Sequence, residues 1–195
     1  MQSPGIRVIK VGGSLLDFYD LPDRLRSWLA AQTTATNILV TGGGRRADLV
    51  RARKAELTER EAHWLAIEAM EANARWLFET VVEAKWLDGI AQVRTIDGAP
   101  AILSPRRFMW YDDARHACGA LPANWQVTSD SIAARAAELA GANELVLLKS
   151  AAPPAPATPE RLASQGYVDA FFPRASRSLA AIRYVNLRAY GPLCA

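Results

Sequence analysis

The stretch VIKVGGSLLD, residues 8–17, decides the fold that the sequence predicts. It begins inside an apolar, largely β-branched run, residues 6–11, and combines a lysine, Lys10, with two glycines. Such a run predicts a buried β-strand, and the glycines predict a tight turn directly after it. The turn has two interpretations, because it is either a bend that carries a charge by chance or a loop that holds phosphate.

Apolar strands and amphipathic helices alternate along the rest of the chain. The predicted elements are strands over residues 37–41, 99–105, 144–149 and 182–187, and helices over residues 21–32, 45–56, 58–84 and 129–142. This alternation is typical of a parallel sheet with helices on its faces. We therefore expect an α/β fold with a mainly parallel central sheet, and a single domain over residues 1–195.

The composition is that of a globular protein. Half of the 195 residues are hydrophobic and 22% are charged, and the net charge is +3. Lysine and arginine form no dense block, so we expect no nucleic-acid partner. The two cysteines, Cys118 and Cys194, form no disulfide or zinc-binding pattern. No apolar run approaches the ~18 residues that cross a bilayer, and we expect a cytoplasmic protein without a membrane partner.

The longest predicted helix, residues 58–84, begins with a capping box of Thr58 and Glu61. Its two apolar stripes are Leu65, Ala69 and Trp76 on one side, and Ile67, Met70, Ala74, Leu77 and Val81 on the other. A helix that is apolar on two sides is buried on two sides. We expect one side to face the sheet and the other a second copy of the chain, in a homodimer or higher oligomer. The alternative is the central helix of a monomer.

Residues 10–14 can bind an anion at the end of their strand, which is where ligands bind in parallel α/β sheets. The glycines, Gly12 and Gly13, let backbone N–H groups approach a phosphate, and Lys10 supplies a compact positive charge. The spacing fits neither the Walker motif nor the dinucleotide-binding fingerprint. The alternative is a tight turn with its lysine in solvent.

A second glycine turn, residues 42–44, lies between a predicted strand and a predicted helix. Its N–H groups would stand at the positive end of the helix, and the arginines that follow, Arg45 and Arg46, can hold phosphate or carboxylate. The alternative is a flexible turn with its arginines in solvent. Three consecutive glycines cost much conformational entropy for a purely structural turn.

The third segment is the start of the helix predicted over residues 129–142. Thr128 or Ser129 can cap this helix, and Asp130 stands in its first turn, where the helix dipole favours an acid. Asp130 is therefore either a dipole acid or a carboxylate that holds a lysine beside the phosphate loops.

Four motifs together resemble the amino-acid kinase superfamily: KVGGS at residues 10–14, TGGG at 41–44, the Thr-Ser-Asp helix start at 128–130 and the ELVLL strand at 144–148. The resemblance covers residues 6–149 in order. It implies a three-layer αβα sandwich that transfers the γ-phosphoryl group of ATP, with Mg²⁺, to a small acceptor.

The resemblance also implies roles for individual residues. Lys10 would neutralise the transferred phosphoryl group, and Asp130 would organise the active-site lysine. The residues that would bind the ATP phosphates through their backbone are Gly12, Gly13 and Ser14. No residue is a candidate metal ligand.

The acceptor would lie between the second glycine turn and the long helix. The residues that would border it and the γ-phosphate are Gly42, Gly43 and Gly44. Side chains that are candidates for binding it are Arg46, His63 and Thr128. The alternative for His63 is a half-buried histidine with a backbone partner.

The sequence departs from the superfamily in two places. Lys149 and Ser150 stand where many relatives have Thr-Asp, and the late G-G-M-x-x-K segment, whose lysine contacts ATP, is missing. Lys149, with Ser150 beside it, is the candidate that supplies this charge as a catalytic and nucleotide-binding residue. Arg174 and Arg177 are the alternatives.

The short length and the helix over residues 61–77 are most similar to the small kinase of methanofuran biosynthesis. That kinase phosphorylates an aminomethyl-furanmethanol phosphate in one-carbon metabolism. We therefore expect an ATP-dependent small-molecule kinase with an acceptor of this kind. The alternatives are a non-catalytic nucleotide- or anion-binding storage module with the same fold, and a regulatory partner of a larger kinase.

Overall fold

The computed structural model describes residues 5–80, 84–96 and 98–190. In these residues the strands are β1 (Ile6–Val11), β2 (Thr36–Thr41), β3 (Lys85–Leu87), β4 (Ala101–Leu103), β5 (Glu144–Lys149) and β6 (Ile182–Asn186). The helices are α1 (Leu21–Ala30), α2 (Gly44–Ala52), α3 (Glu59–Thr80), α4 (Pro105–Arg107), α5 (Ser129–Ala140), α6 (Pro159–Ser164) and α7 (Phe172–Ala175). Short 3₁₀ turns cover Gly13–Leu15, Ile90–Thr95 and Asp113–Arg115, and a π-turn covers Phe108–Asp112.

The strands form one sheet in the order β3-β4-β2-β1-β5-β6, and every neighbouring pair is parallel. The α/β fold with a parallel sheet is therefore confirmed. The sequence analysis missed β3 because this edge strand has three residues, which is too short for an alternating pattern.

Apolar side chains of the strands alternate between the two faces of the sheet, and each face has its own buried cluster. Along β1, Val8 belongs to one cluster, and Ile9 and Val11 belong to the other. Helix α5 covers the face of Val8, and helix α1 covers the opposite face through residues such as Leu25. Helices thus flank both faces of the sheet, as in a three-layer αβα sandwich.

The capping box at the start of α3 is confirmed. The Glu61 carboxylate accepts hydrogen bonds from the backbone N–H and the hydroxyl of Thr58, each at 2.8 Å. The Thr58 hydroxyl oxygen in turn accepts the backbone N–H of Glu61 at 3.3 Å. The helix is described to Thr80, and residues 81–83 of the predicted helix lie outside the described residues.

The described part of one apolar stripe of α3 packs inside the chain, because Ile67, Met70, Ala74 and Leu77 are all buried. On the other stripe Ala69 is buried, whereas Leu65 and Trp76 are 43% and 37% exposed. Self-association through this helix stays a prediction. Val81 and Cys194 lie outside the described residues, and Cys118 is an exposed thiol.

Helix α3 passes across the carboxyl edge of the sheet. Its residue Met70 packs with the cluster on one face, and Ala74 and Leu77 pack with the cluster on the other. The hydroxyl of Thr41, the last residue of β2, donates to the Met70 carbonyl oxygen at 2.9 Å. This crossing makes α3 a wall of the space above the strand ends. None of the helices in the described ranges is long and apolar enough to span a lipid bilayer.

Candidate active site

The two glycine turns lie in direct contact at the carboxyl edge of the sheet. A Cβ atom on Gly13 would stand 2.5 Å from the backbone nitrogen of Gly44, and one on Gly12 would stand 2.8 Å from the Leu148 carbonyl oxygen. The Gly12 N–H donates to that same oxygen at 2.9 Å, and the Gly42 N–H donates to the Val11 carbonyl oxygen at 2.8 Å. Side chains larger than hydrogen are therefore excluded where the ends of β1, β2 and β5 meet.

Helix α3 holds the second glycine turn through Asn73. Its side-chain amide donates to the carbonyl oxygens of Gly42 at 2.9 Å and Gly43 at 2.8 Å. Asn73 is buried, so these bonds are shielded from water. The sequence analysis missed this residue, and the feature that could have revealed it is an amide on the buried stripe of a long helix.

Two lysines share one buried carboxylate. Lys10 Nζ lies 2.9 Å from Asp130 Oδ1, and Lys149 Nζ lies 2.8 Å from Asp130 Oδ2. The lysines stand on the central strands β1 and β5, and each alternates in phase with buried residues of the face that α5 covers, such as Val8 and Leu147. Strand periodicity therefore directs both ammonium groups toward the first turn of α5.

Burial and the neighbouring charges shift the pKa of Asp130 in opposite directions. Burial acts to raise the pKa of Asp130, but the charges of Lys10 and Lys149 outweigh it and hold the pKa below its usual range. Burial lowers the pKa of Lys149 to about 8, assisted by the charge of Lys10 and partly offset by Asp130. The group thus sets two lysine side chains against one carboxylate next to the first glycine turn.

Lys149 and Ser150 connect β5 to the other parts of the site. Lys149 Nζ also donates to the Tyr167 carbonyl oxygen at 2.7 Å. The hydroxyls of Ser14 and Ser150 are hydrogen-bonded at 2.9 Å, which links the first glycine turn to the end of β5. The structure thus brings Lys149 and Ser150 into the same cluster as Lys10.

The cap of helix α5 differs from the expectation. Thr128 is the N-cap residue, but neither its side chain nor that of Ser129 caps the helix. The Thr128 hydroxyl instead donates to Asp169 at 2.9 Å, and Asp169 also accepts the backbone N–H of Ser131 at 3.0 Å. Asp169 therefore caps this helix from a distant segment, and the sequence analysis missed it. Asp130 lies in the first turn, as expected.

A cavity of about 260 Å³ opens beside the two glycine turns. Gly13, Ser14, Gly43 and Gly44 form its floor, and residues of α2, α3 and the start of α5 form its walls. Its apolar lining includes Ile67, Met70 and Ile132, and its polar lining includes His63 and Thr128. This is the region between the second glycine turn and the long helix where the sequence analysis expected an acceptor.

His63 is a buried member of the cavity wall. Its Nδ1 lies 3.3 Å from the Asn124 carbonyl oxygen, so Nδ1 carries the proton of this bond. Its Nε2 is buried and has no hydrogen-bond partner among the described residues. Burial lowers the pKa of His63, and the neutral ring then has its lone pair on Nε2. His63 thus has the backbone partner of one alternative and also lines the cavity, and its role in binding an acceptor stays a prediction.

Arg46 does not line this cavity, and its role in binding an acceptor stays a prediction. The arginine in the wall is Arg51, whose guanidinium pairs with Asp48 at 3.2 Å and lies 4.8 Å from the Trp125 ring centroid. Helix α2 begins at Gly44, so residues three and four apart in it share a face, and Arg46 points away from the face of Asp48 and Arg51. Arg46 lines a separate cavity with Trp76.

Arg174 and Arg177 also lie elsewhere. They line a cavity of about 300 Å³ with His116, Cys118 and Arg135, and this cavity shares no lining residue with the one beside the glycine turns. Lys149, rather than either arginine, is the charge that joins Lys10.

The donor set of the site suits phosphate and does not suit a metal held by protein ligands. Within the described ranges, no cluster of three or more histidine, cysteine, aspartate or glutamate side chains could hold a metal ion. The Asp130 carboxylate is engaged by two lysines, and Asp169 is engaged by hydroxyl and N–H donors. A divalent ion at this site would therefore depend on nucleotide phosphates and water for its ligands.

The sequence matches no protein-family model and no curated protein sequence. Solved structures do match the fold. The uridylate kinase from Archaeoglobus fulgidus is 16% identical, with 93% of this chain and 92% of that chain covered and a TM-score of 0.61. The UMP kinase from Bacillus anthracis is 13% identical (95% and 88% covered, TM-score 0.61), and that from Ureaplasma parvum is 14% identical (93% and 90%, 0.62). The chain therefore has the α/β fold of these UMP kinase structures.

Proposed function

We propose that the chain is a phosphotransferase that moves the γ-phosphoryl group of ATP to a small acceptor bound in the cavity beside the glycine turns. The observation that carries this proposal is the ion-paired group of Lys10, Asp130 and Lys149. The backbone of Lys149 lies against Gly12 of the first glycine turn, and Ser129, next to Asp130, lies against Gly42 of the second, while none of the three charged side chains lines the cavity itself. Buried ammonium groups are rare unless a ligand or a partner compensates them. Here one carboxylate serves two lysines, which leaves a positive charge for an anion.

The chemistry requires positioning and positive charge more than a reactive side chain. In phosphoryl transfer the transition state spreads negative charge over the phosphoryl oxygens. Lys10 and Lys149 would stabilise that charge, and Asp130 would hold both ammonium groups in place before the substrates bind. Because these groups are buried, their attraction for the transferred group would be little weakened by water.

The glycine turns would bind the phosphates through the backbone. Without side chains, residues such as Gly13 and Gly43 would let N–H groups approach phosphate oxygens closely. The Gly12 N–H is already bonded to the Leu148 carbonyl oxygen, so Gly12 would contribute space for the phosphate and no donor. Ser14 and Ser150 would add hydroxyl donors at the end of β5. Magnesium would supply charge neutralisation through the nucleotide when bound, and the chain's own residues contribute the lysines and the backbone donors.

The cavity suggests the class of acceptor. It is small, its walls are largely apolar, and its buried His63 Nε2 can accept a hydrogen bond from an O–H or N–H group. We propose an aminomethyl-furanmethanol phosphate as the acceptor, on the sequence resemblance and on a small cavity that combines an apolar wall with polar side chains such as Arg51 and His63. UMP is the second candidate, because the structures of the same fold are named as UMP kinases.

The test is acceptor-dependent release of ADP. The protein is incubated with ATP, Mg²⁺ and single acceptors, including the furan phosphate and UMP, and ADP and the phosphorylated product are quantified. Release that requires one acceptor and is lost in Lys10→Ala supports the proposal. Nucleotide binding without release under any acceptor contradicts it and favours a non-catalytic binding or storage module. Activity only in a complex with another chain would indicate a regulatory partner.

A further inference from the structure

Asp169 is a half-buried carboxylate that accepts four hydrogen bonds from one turn of helix. Its Oδ2 accepts the backbone N–H and the hydroxyl of Thr128, both at 2.9 Å, and the backbone N–H of Ser131 at 3.0 Å. Its Oδ1 accepts the Ser131 hydroxyl. All four partners are donors, which is the environment of an ionised carboxylate.

These bonds replace the missing N-cap of α5. A capping side chain normally accepts the N–H of the second or third helical residue, and Ser131 is the third residue of this helix. The cap therefore comes from the segment between α6 and α7, about 40 residues away in sequence. The carboxylate also stands at the positive end of the helix dipole.

The turn that Asp169 holds carries the groups of the proposed reaction. Thr128 and Ser129 line the cavity, and Asp130 bridges Lys10 and Lys149. A displacement of this turn would move the cavity wall and the shared carboxylate together.

The segment of Asp169 also contacts the second lysine. The carbonyl oxygen of Tyr167, two residues earlier, accepts from Lys149 Nζ at 2.7 Å. A further bond, from the Phe171 N–H to the Gln126 carbonyl oxygen at 3.1 Å, fixes the other end of the segment. Residues 167–171 thus connect the end of β5 to the start of α5.

We propose that Asp169 is a positioning residue of the phosphoryl-transfer site: it fixes the first turn of α5 and thereby aims Asp130 and the two lysines at the transferred group. The inference rests on the proposed function for its catalytic part. Its structural part, the control of Lys149 by Asp169, can be measured without any turnover.

The pKa of Lys149 gives a readout of the charge of Asp169, and the loss of a cap with a purely structural role would not change this pKa. The titratable groups that interact with Asp169 are Asp130 from α5 and Lys149 from β5. Lys10 in turn pairs with Asp130. Burial and the nearby charge of Asp130 raise the pKa of Asp169, and the charge of Asp169 acts to raise the pKa of Lys149. Replacing Asp169 with a neutral residue of the same shape therefore lowers the pKa of Lys149.

The decisive experiment is a ¹³Cε titration of lysine-labelled protein by NMR. The chain has four lysines, so a Lys149→Arg variant assigns the Lys149 resonance unambiguously. In the wild type we expect a midpoint of about 8. Asp169→Asn should move this midpoint to lower pH. The control is Thr158→Ala, which removes the hydroxyl cap of α6 and should leave the midpoint unchanged while lowering Tm.

Kinetics provide the second readout. In Asp169→Asn we expect kcat to fall about 10- to 100-fold, since a displacement of about 1 Å has this effect in positioned sites. The alkaline limb of the pH–kcat profile should shift to lower pH by the same amount as the NMR midpoint. Thr158→Ala should retain the wild-type profile.

A milder variant keeps the inference testable if Asp169→Asn does not fold. Thr128→Val keeps the side-chain shape and removes one of the four bonds to Asp169. It should accelerate amide hydrogen exchange at residues 130–132 and leave exchange in β5 unchanged. An unchanged exchange rate at these residues, or an unchanged Lys149 midpoint in folded Asp169→Asn, overturns the inference. A failure of the proposed function gives a different result, because the wild type would then release no ADP with any acceptor.

Discussion

Gly13 and Gly42 belong to separate turns and meet backbone to backbone: a Cβ atom on Gly42 would lie 2.5 Å from the amide nitrogen of Gly13. The Gly13 nitrogen belongs to the backbone, so it cannot move away by a rotamer change as a side-chain atom could. The contact brings the backbones of two strand ends to one place, and glycine at these positions is required by the lack of space for a Cβ atom.

Gly42→Ala should therefore destabilise the protein and reduce activity together. We expect a loss of about 1–3 kcal/mol in the free energy of unfolding, the usual result of overpacking, and a fall in kcat because the two turns are pushed apart. Urea unfolding and ADP release measure the two effects. Gly89→Ala is the control, since its Cβ would meet only the Asp112 side chain, at 3.3 Å. Equal stability of the two variants would contradict the close approach.

Lys10→Ala should affect catalysis far more than stability. We expect kcat to fall by a factor of about 10²–10³, the usual result of losing one donor to a developing charge. Asp130 keeps Lys149 as its partner, so the decrease in Tm should be small. The exposed Lys54→Ala serves as the control. Near-normal turnover in Lys10→Ala would refute the assigned role of Lys10.

Activity should decline above pH 8 as Lys149 loses its proton. The pKa of Lys149 is about 8, below the 10.5 of a free lysine, so the unfolded chain binds the extra proton between these values. In that window this group makes the folded state more stable with rising pH, while the charge needed for transfer is lost. A pH–kcat profile with Tm recorded at each pH tests both the fall in activity and the rise in stability. In Lys149→Arg the alkaline limb should be absent, because arginine does not titrate in this range.

His63→Phe should weaken binding of the acceptor and leave binding of ATP unchanged. The variant keeps an aromatic ring in the cavity wall and removes Nε2, which has no partner among the described residues. We expect the acceptor KM to rise about tenfold, which corresponds to one lost hydrogen bond. His116→Phe is the matched control, because that ring pairs with Glu138 at 3.6 Å and does not line the cavity. Equal KM values for the two variants would exclude His63 from acceptor binding.

The local sequence was sufficient to predict which segments meet at the carboxyl edge of the sheet. Lys10 and the two glycine turns follow apolar runs directly, and parallel strands end at the same edge, so the meeting of these segments follows from strand order. Lys149 could be included for the same reason, because it is the last residue of β5. These predictions needed only periodicity and the position of each residue within its strand.

Residues that depend on helix phase or on distant segments could not be predicted. Arg46 and Arg51 are five residues apart in α2, which places their side chains about 140° apart around the helix axis, so that Arg51 lines the cavity and Arg46 does not. Asp169 caps α5 from another segment, while Thr128 and Ser129 offered a local cap that the chain does not use. Sequence alone contains no measure of which of two available caps wins.

The position of β1 between β2 and β5 has a consequence for synthesis of the protein. Arg7 of β1 and its partner Glu144 of β5 are 137 positions apart in the chain. At the usual rates of translation, β1 therefore waits on the order of ten seconds for its second neighbour. During that time one edge of an apolar strand lacks its partner from the same chain, and an unpaired strand edge of this kind is open to pairing with other chains.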